Sequence, residues 1–118
     1  MEETVARLIE ARNAPASFCY ALFERVNPAR NEARFYYVSW QATLFDDGAV
    51  VRLWGRKGET QSELATPFPS LAEAWPMLRR LLRSRLRRGY RVVEAAMGAE
   101  FNEDHQREDS RRRGLGGD

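Results

Sequence analysis

The sequence of 118 residues contains one cysteine, Cys19, and one histidine, His105. A single cysteine excludes a disulfide within the chain, which suits a reducing compartment. Because His105 is far from Cys19 in the sequence, neither a Ser-His nor a Cys-His pair can be assembled as a nucleophile with its base. We therefore expect a protein that is not an enzyme.

Motifs for metals and nucleotide phosphates are also missing. No residues have zinc-ligand spacing, and no glycine-rich loop resembles a phosphate cradle. Asp46 and Asp47 are adjacent carboxylates, but Gly48 follows them, and this pattern is typical of a turn rather than of an acid–base pair. We expect no catalytic residue, no metal and no cofactor.

Long hydrophobic runs are absent as well. No window approaches the roughly 18 apolar residues that a membrane-spanning helix needs. The start, Met1-Glu2-Glu3, is not followed by the apolar stretch of a secretory signal. The length suffices for one compact domain, and the 43% of apolar residues can supply its core. These features predict a cytoplasmic, single-domain protein that does not bind a membrane.

The net charge of +2 is unevenly distributed along the chain. Residues 1–33 carry −1, residues 34–91 carry +6, and residues 92–118 carry −3. Eighteen of the nineteen basic residues are arginines, whose planar guanidinium groups form forked contacts with phosphate. A polyanionic partner is therefore expected to bind the middle segment.

Two short N-terminal segments have apolar residues at helical spacing. The first covers residues 4–12 and is ended by the Asn-Ala-Pro sequence that follows it. The second covers residues 18–26 and is stopped by Pro28. We predict that residues 1–33 form a helical lead-in that packs on the domain, in preference to a separate functional element.

From residue 34 the apolar period changes to two, which predicts a half-buried strand. Alternate residues of this strand should face the core, namely Tyr36, Val38, Trp40, Ala42 and Leu44. Asp47 and Gly48 suit a two-residue type I′ turn into a second strand. That turn would pair Leu44 with Val51 and Ser39 with Arg56.

In this register three residues of the second strand lie on the solvent face, Arg52, Trp54 and Arg56. An aromatic ring between two arginines suits stacking on a sugar or base while the charges hold phosphate. A bulge at Gly55 would instead turn the Trp54 ring inward. Trp40 and Trp75 are expected to belong to the core.

The second half of the chain predicts a helix on the sheet. After a third strand at residues 60–65, Ser70 and Glu73 form a capping box, and Gly89 is a natural stop after Arg88. The helix has an apolar stripe of Leu71, Ala74, Trp75, Leu78, Leu82 and Leu86. Residues 90–93 could return as a last strand, and residues 94–118 are expected to be a disordered polar tail.

The arginines of this helix are not balanced by acids. Residues 77–91 hold seven arginines and no aspartate or glutamate. Like charges at this density repel one another unless something neutralises them, which favours phosphate contact over a merely solvated face. Four of these side chains point away from the apolar stripe: Arg79, Arg80, Arg83 and Arg87. Arg85 falls near the stripe and must extend past it or contact another element.

The run VRLWGRKG at residues 51–58 lies between RFY at 34–36 and FPSLAEA at 68–74, and RRGY follows at 87–90. This order resembles the WGR domain family over residues 34–91, about half the chain, and the stretch before it is similar to short bacterial WGR proteins. The resemblance implies an α+β fold, an antiparallel sheet packed against one main helix, with the domain at residues 34–93. In poly(ADP-ribose) polymerases the family binds DNA at strand breaks. There the motif's tryptophan stacks on the terminal nucleotide, and its arginine contacts DNA or a neighbouring domain. Those roles would pass to Trp54 and Arg56.

The sequence thus predicts a non-enzymatic module that binds DNA through the phosphate backbone, with strand ends or nicks as preferred sites. The alternative is an adaptor that docks in trans on an acidic protein partner. The candidate nucleic-acid-binding residues are Trp54, Arg56, Arg52, Lys57, Arg79, Arg80, Arg83 and Arg87.

Overall fold

The structure is a computed structural model that describes residues 2–45 and 47–97. Along the chain the elements are helix α1 (Glu2–Glu10), strand β1 (Tyr20–Asn27), a 3-10 turn (Pro28–Arg30), strands β2 (Glu32–Ala42), β3 (Gly48–Arg56) and β4 (Gln61–Phe68), helix α2 (Leu71–Arg87) and strand β5 (Arg91–Ala96). The predicted α+β fold, with a helix near the N-terminus and one main helix against an antiparallel sheet, is confirmed. Neither helix in the described ranges is long and apolar enough to cross a membrane.

The five strands form one antiparallel sheet in the order β4-β3-β2-β1-β5. The side chains of alternate strand residues and of both helices meet in a single core, which includes Val5, Phe23, Val38, Val50, Trp75, Leu78 and Leu82. These seven side chains are almost fully buried, so the apolar stripe of α2 packs on the sheet as its spacing predicts.

Residues 18–26 were predicted to be helical, and this prediction is wrong. Strand β1 occupies Tyr20–Asn27 and lies between β2 and β5. Ala21 and Phe23 are fully buried and alternate with half-exposed neighbours, so the segment also satisfies a period of two. Hydrogen-bonded ladders on both sides favour the strand over a short helix, because tertiary pairing outweighs local propensity.

The connection between β2 and β3 is longer than the predicted two-residue turn. Ala42 pairs with Gly48, so residues 43–47 form a five-residue loop. The backbone N–H of Thr43 donates to the carbonyl of Asp47 at 2.8 Å. The Thr43 hydroxyl also bonds the Asp47 carboxylate and accepts a hydrogen bond from the Phe45 N–H at 3.1 Å. These bonds close the loop where a type I′ turn was expected.

The longer loop changes which face each β3 residue occupies. Ser39 pairs with Val51 instead of Arg56, so the register of β3 against β2 is displaced by five positions from the predicted one. Because side chains alternate between the faces of a strand, an odd displacement moves every β3 side chain to the opposite face of the sheet. Trp54 and Arg52 therefore lie on the helix-covered face, where Trp54 pairs with Tyr36. The predicted solvent-facing placement of Arg52, Trp54 and Arg56 is wrong.

The predicted inward face of β2 is confirmed for its first residues only. Tyr36 and Val38 are buried and Trp40 packs against the core, whereas Ala42 is exposed and Leu44 is 95% exposed. The ring of Trp40 crosses Gly48, where a Cβ would lie 2.8 Å from Cζ2 of Trp40. Glycine is therefore the residue that this close approach requires.

Helix α2 begins and ends as predicted. The Ser70 hydroxyl accepts a hydrogen bond from the Glu73 N–H at 3.2 Å, and Gly89 follows the helix with a φ of 84°. β5 continues to Ala96, so residues 94–96 belong to the sheet rather than to the tail. The disorder expected beyond Met97 lies outside the described residues, and the domain boundaries at 34 and 93 stay predictions.

Candidate functional site

A pocket of about 530 Å³ opens at the end of the sheet where β2 begins and β3 ends, beside the C-terminus of α2. Among the described residues, no acidic side chain lines it. Its walls are Arg25, Arg34, Phe35, Tyr36, Arg52, Trp54, Gly55, Arg56, Arg85, Arg88 and Tyr90. Six guanidinium groups and four aromatic rings therefore surround one concave space, which attracts anions and offers flat apolar surfaces.

The inner wall of the pocket is a stack of rings and guanidinium groups. The rings of Trp54 and Tyr36 are stacked, with centroids 6.4 Å apart and planes inclined by 29°. The Arg85 guanidinium carbon lies 4.2 Å from the centroid of Tyr36 and 5.4 Å from that of Tyr90. Arg52 lies over Trp54 at 5.9 Å. Cation–π contacts of this kind fix the direction of each guanidinium group.

Three buried polar atoms of this wall have no hydrogen-bond partner in the described part of the chain: the hydroxyl of Tyr36, Nε of Arg52 and Nε of Arg85. Each buried donor without a partner costs about 1–3 kcal/mol. Burial raises the pKa of the Tyr36 hydroxyl, whereas the Arg52 guanidinium, as a nearby donor and as a charge, and the charge of Arg85 lower that pKa. Tyr36 thus remains a protonated donor.

Two rim arginines are held in place by the rest of the protein. Arg25 pairs with Glu32 at 3.0 Å and donates to the carbonyl of Arg88 at 2.7 Å. Arg56 pairs with Glu59 at 2.8 Å. Its Nη1 and Nη2 donate to the carbonyl and side-chain oxygens of Asn31, at 2.7 and 3.0 Å. The other two rim arginines, Arg34 and Arg88, are exposed, and their guanidinium groups have no ion pair among the described residues.

The structure brings three of the predicted site residues together in the pocket, namely Arg52, Trp54 and Arg56. Trp54 is half-buried and packs against the core while one part of it lines the pocket. Lys57 lies outside, where its Nζ pairs with Glu24 at 3.1 Å. Arg80 and Arg87 are exposed on α2 and do not line the pocket.

The remaining two predicted arginines have partners inside the protein. Nε of Arg79 and Nη2 of Arg83 both donate to the carbonyl of Ile9, the latter at 3.3 Å. Trp75 donates from Nε1 to the carbonyl of Ala11 at 3.1 Å. These donors satisfy carbonyls at the C-terminus of α1, where positive charge is also favoured by the helix dipole. Two of the arginines that have no acidic neighbour on α2 therefore bind the C-terminal end of α1.

Sequence reasoning missed several residues of the pocket: Arg25, Arg34, Phe35, Tyr36, Arg88 and Tyr90. A five-residue loop at residues 43–47 would have paired Tyr36 with Trp54 and so identified the shared face. Of the two alternatives expected for Arg85, contact with another element is the one observed, because its guanidinium stacks on Tyr36 of β2. Among the described residues, no group of histidine, cysteine and carboxylate side chains could hold a metal ion.

The family model described as the WGR domain matches residues 20–97, from the first residue of β1 to the residue after β5. An uncharacterized protein of Sinorhizobium fredii is 38% identical over 73 residues, which is 61% of this chain. The chain spans only 36% of that relative's length. No solved structure matches significantly. The chain therefore belongs to the WGR domain family, whose domain is a nucleic-acid-binding, non-catalytic module in proteins related to the poly(ADP-ribose) polymerases.

Proposed function

We propose that this protein binds DNA, with its phosphate backbone and a strand end or nick held in and around the arginine-lined pocket. The observation that carries the proposal is the inner wall, where Tyr36, Arg52 and Arg85 have buried donors without partners. A phosphate group supplies several acceptor oxygens and a negative charge at once, so it suits this wall better than water does. Six arginines line the opening and only Arg25 and Arg56 of them are paired with an acid in the described ranges, so the opening attracts the polyanion as a whole.

The exposed arginines make the first contacts in this proposal. Arg34 and Arg88 at the rim can take backbone phosphates without losing an existing ion pair. Arg80 and Arg87 on α2 extend the basic surface beyond the pocket. Contacts of this kind fix the position of the duplex and carry no sequence information.

Trp54 supplies a preference for ends over continuous duplex. Its ring forms part of the pocket wall and is braced from behind by Tyr36 at 6.4 Å. A sugar or base face is available to such a ring only where the nucleic acid is uncovered, as it is at an end or a nick. Arg56, fixed by Asn31 and Glu59, then places a directed guanidinium beside the same nucleotide.

The test is a salt-titrated binding assay with linear, nicked and closed circular duplexes of matched length. Four phosphate contacts predict a log–log slope of roughly −3.6 between affinity and salt concentration. Arg88→Ala should reduce the magnitude of that slope by about 0.9, because it removes one contact. Arg12→Ala is the matched control, since Arg12 is also exposed but follows α1 and does not line the pocket.

Two results would reject the proposal. One is an absence of binding to any duplex at low salt, which would leave docking on an acidic protein as the function to test. The other is an equal loss of slope in Arg88→Ala and Arg12→Ala, which would mean that net charge acts without the pocket.

A further inference from the structure

A projecting apolar tip lies at the opposite end of the β2–β3 ladder from the pocket. Leu44 is 95% exposed and Phe45 is 84% exposed, and both stand in the loop beyond the last ladder pair. Single exposed apolar residues are ordinary, but two large neighbours on one projecting loop are an apolar patch that water solvates poorly. The hydrogen bonds between Thr43 and Asp47 close the base of this loop.

The pocket at the other end of the ladder is complementary to this tip in shape and charge. Its volume of about 530 Å³ exceeds that of a phenylalanine side chain, and its aromatic walls suit edge or stacked contact with a ring. Asp47 beside the tip is exposed and carries a negative charge, whereas the pocket rim carries Arg34 and Arg88. The molecule thus has a protruding apolar, acidic element and a concave aromatic, basic one.

We propose that the tip formed by Leu44 and Phe45 of one copy enters the arginine-lined pocket of a second copy. The ring of Phe45 packs against Trp54 and Phe35, and Asp47 approaches the arginines of the rim. The contact depends on the tip and on the shape and charge of the pocket, and not on bound DNA, so it goes beyond DNA binding and stands without it. A second copy is favoured as the occupant because both complementary surfaces are present on the same chain.

The geometry determines the form of the assembly. Arg34 and Ala42 are the two ends of the β2–β3 pairing and are eight residues apart, about 27 Å along a strand. A tip at one end and a pocket at the other give a head-to-tail contact, which continues from copy to copy unless a rotation closes it. The tip offers only two large side chains, so the contact buries far less surface area than a stable interface does. The association is therefore weak and depends on concentration. A polyanion in the pocket displaces the tip, so DNA binding and self-association compete.

Sedimentation velocity of the full chain at low ionic strength, from micromolar to millimolar concentration, tests the proposal. The wild-type protein should sediment faster as its concentration rises. Two double variants should each weaken association at least about tenfold. Leu44→Ser with Phe45→Ser removes the tip. Arg34→Glu with Arg88→Glu reverses the charge of the two rim arginines that have no ion pair within the described residues. Val26→Ser is the matched control, because Val26 is 54% exposed in β1 and belongs to neither surface; it should associate like the wild type.

Mixing the two double variants gives the sharpest result. Each variant lacks one surface and keeps the other. An equimolar mixture should therefore form heterodimers, and no assembly larger than a dimer. A wild-type protein that stays monomeric over the whole range would overturn the proposal, as would a tip variant that still associates or a mixture that stays monomeric.

DNA titrated into the wild-type assembly should dissociate it into monomers. DNA binding by the tip variant should change by less than about twofold. A protein that associates but binds no DNA would reject the proposed function and leave the tip contact in place.

Discussion

Replacing Arg85 with methionine should stabilise the fold and at the same time weaken DNA binding. Arg85 stacks on Tyr36 and Tyr90, and its buried Nε has no hydrogen-bond partner. Methionine keeps most of the length and apolar packing of the side chain, so the substitution relieves an unpaired buried donor that costs about 1–3 kcal/mol. It loses two cation–π contacts of about 0.5–1 kcal/mol each, partly replaced by sulfur–aromatic contacts of about 0.3–1.5 kcal/mol. The net expectation is a domain that is more stable by about 1 kcal/mol.

Thermal unfolding and DNA titration on the same preparation measure the two effects. A gain of about 1 kcal/mol raises the melting temperature of a domain of this size by roughly 4–8 °C. The same variant should bind linear duplex at least about tenfold more weakly, because it loses a phosphate donor of the inner wall. Arg83→Met is the matched control on the same helix. Since Arg83 donates to the carbonyl of Ile9, that change should lower stability by about 1 kcal/mol and leave DNA affinity unchanged. The reasoning is refuted if Arg85→Met destabilises the fold or if its DNA affinity equals that of the wild type.

Three further predictions follow from individual contacts. Gly48→Ala should destabilise the domain by about 2 kcal/mol in urea unfolding, because its methyl group would meet the backbone carbonyl oxygen of Gln41 and the ring of Trp40; an unchanged midpoint would contradict that close approach. Trp54→Ala should remove the preference for linear over circular duplex, a loss of about 1–3 kcal/mol, whereas Trp54→Phe should retain part of it with the fold checked by circular dichroism. The hydrogen bond from Tyr20 to Glu94 raises the pKa of Tyr20 to about 12, so stability should fall as the pH rises from 10 to 12. Glu94→Gln should lessen that fall in alkaline unfolding curves, and an unaltered curve would count against this contact.

The helix α2 and the inward residues of β2 could be read from the sequence because their signals are local. Ser70 and Glu73 fix the start of the helix through one hydrogen bond, and Tyr36 and Val38 follow a strict alternation. Strand β1 could not be separated from a helix, since its few apolar residues fit either period until β2 and β5 pair with it.

The pocket was harder to predict because it depends on one loop length. A type I′ turn and a five-residue loop are both compatible with the residues around Gly48, yet they place Trp54 on opposite faces of the sheet. Arg25 and Tyr90 reach the pocket only through tertiary packing, as Arg25 contacts the ring of Tyr90 and the carbonyl of Arg88. No local pattern in the sequence carries that information.

The attachment of α1 has a consequence for how much positive surface this domain presents. Helix α1 lies before the first residue of the family match, but the carbonyl of its Ile9 accepts hydrogen bonds from both Arg79 and Arg83. A form of the domain without residues 2–11 would return both guanidinium groups to solvent and uncover the indole N–H of Trp75. A nine-residue helix placed ahead of the family domain can thus reduce the exposed basic surface of that domain without any change in the domain's own residues.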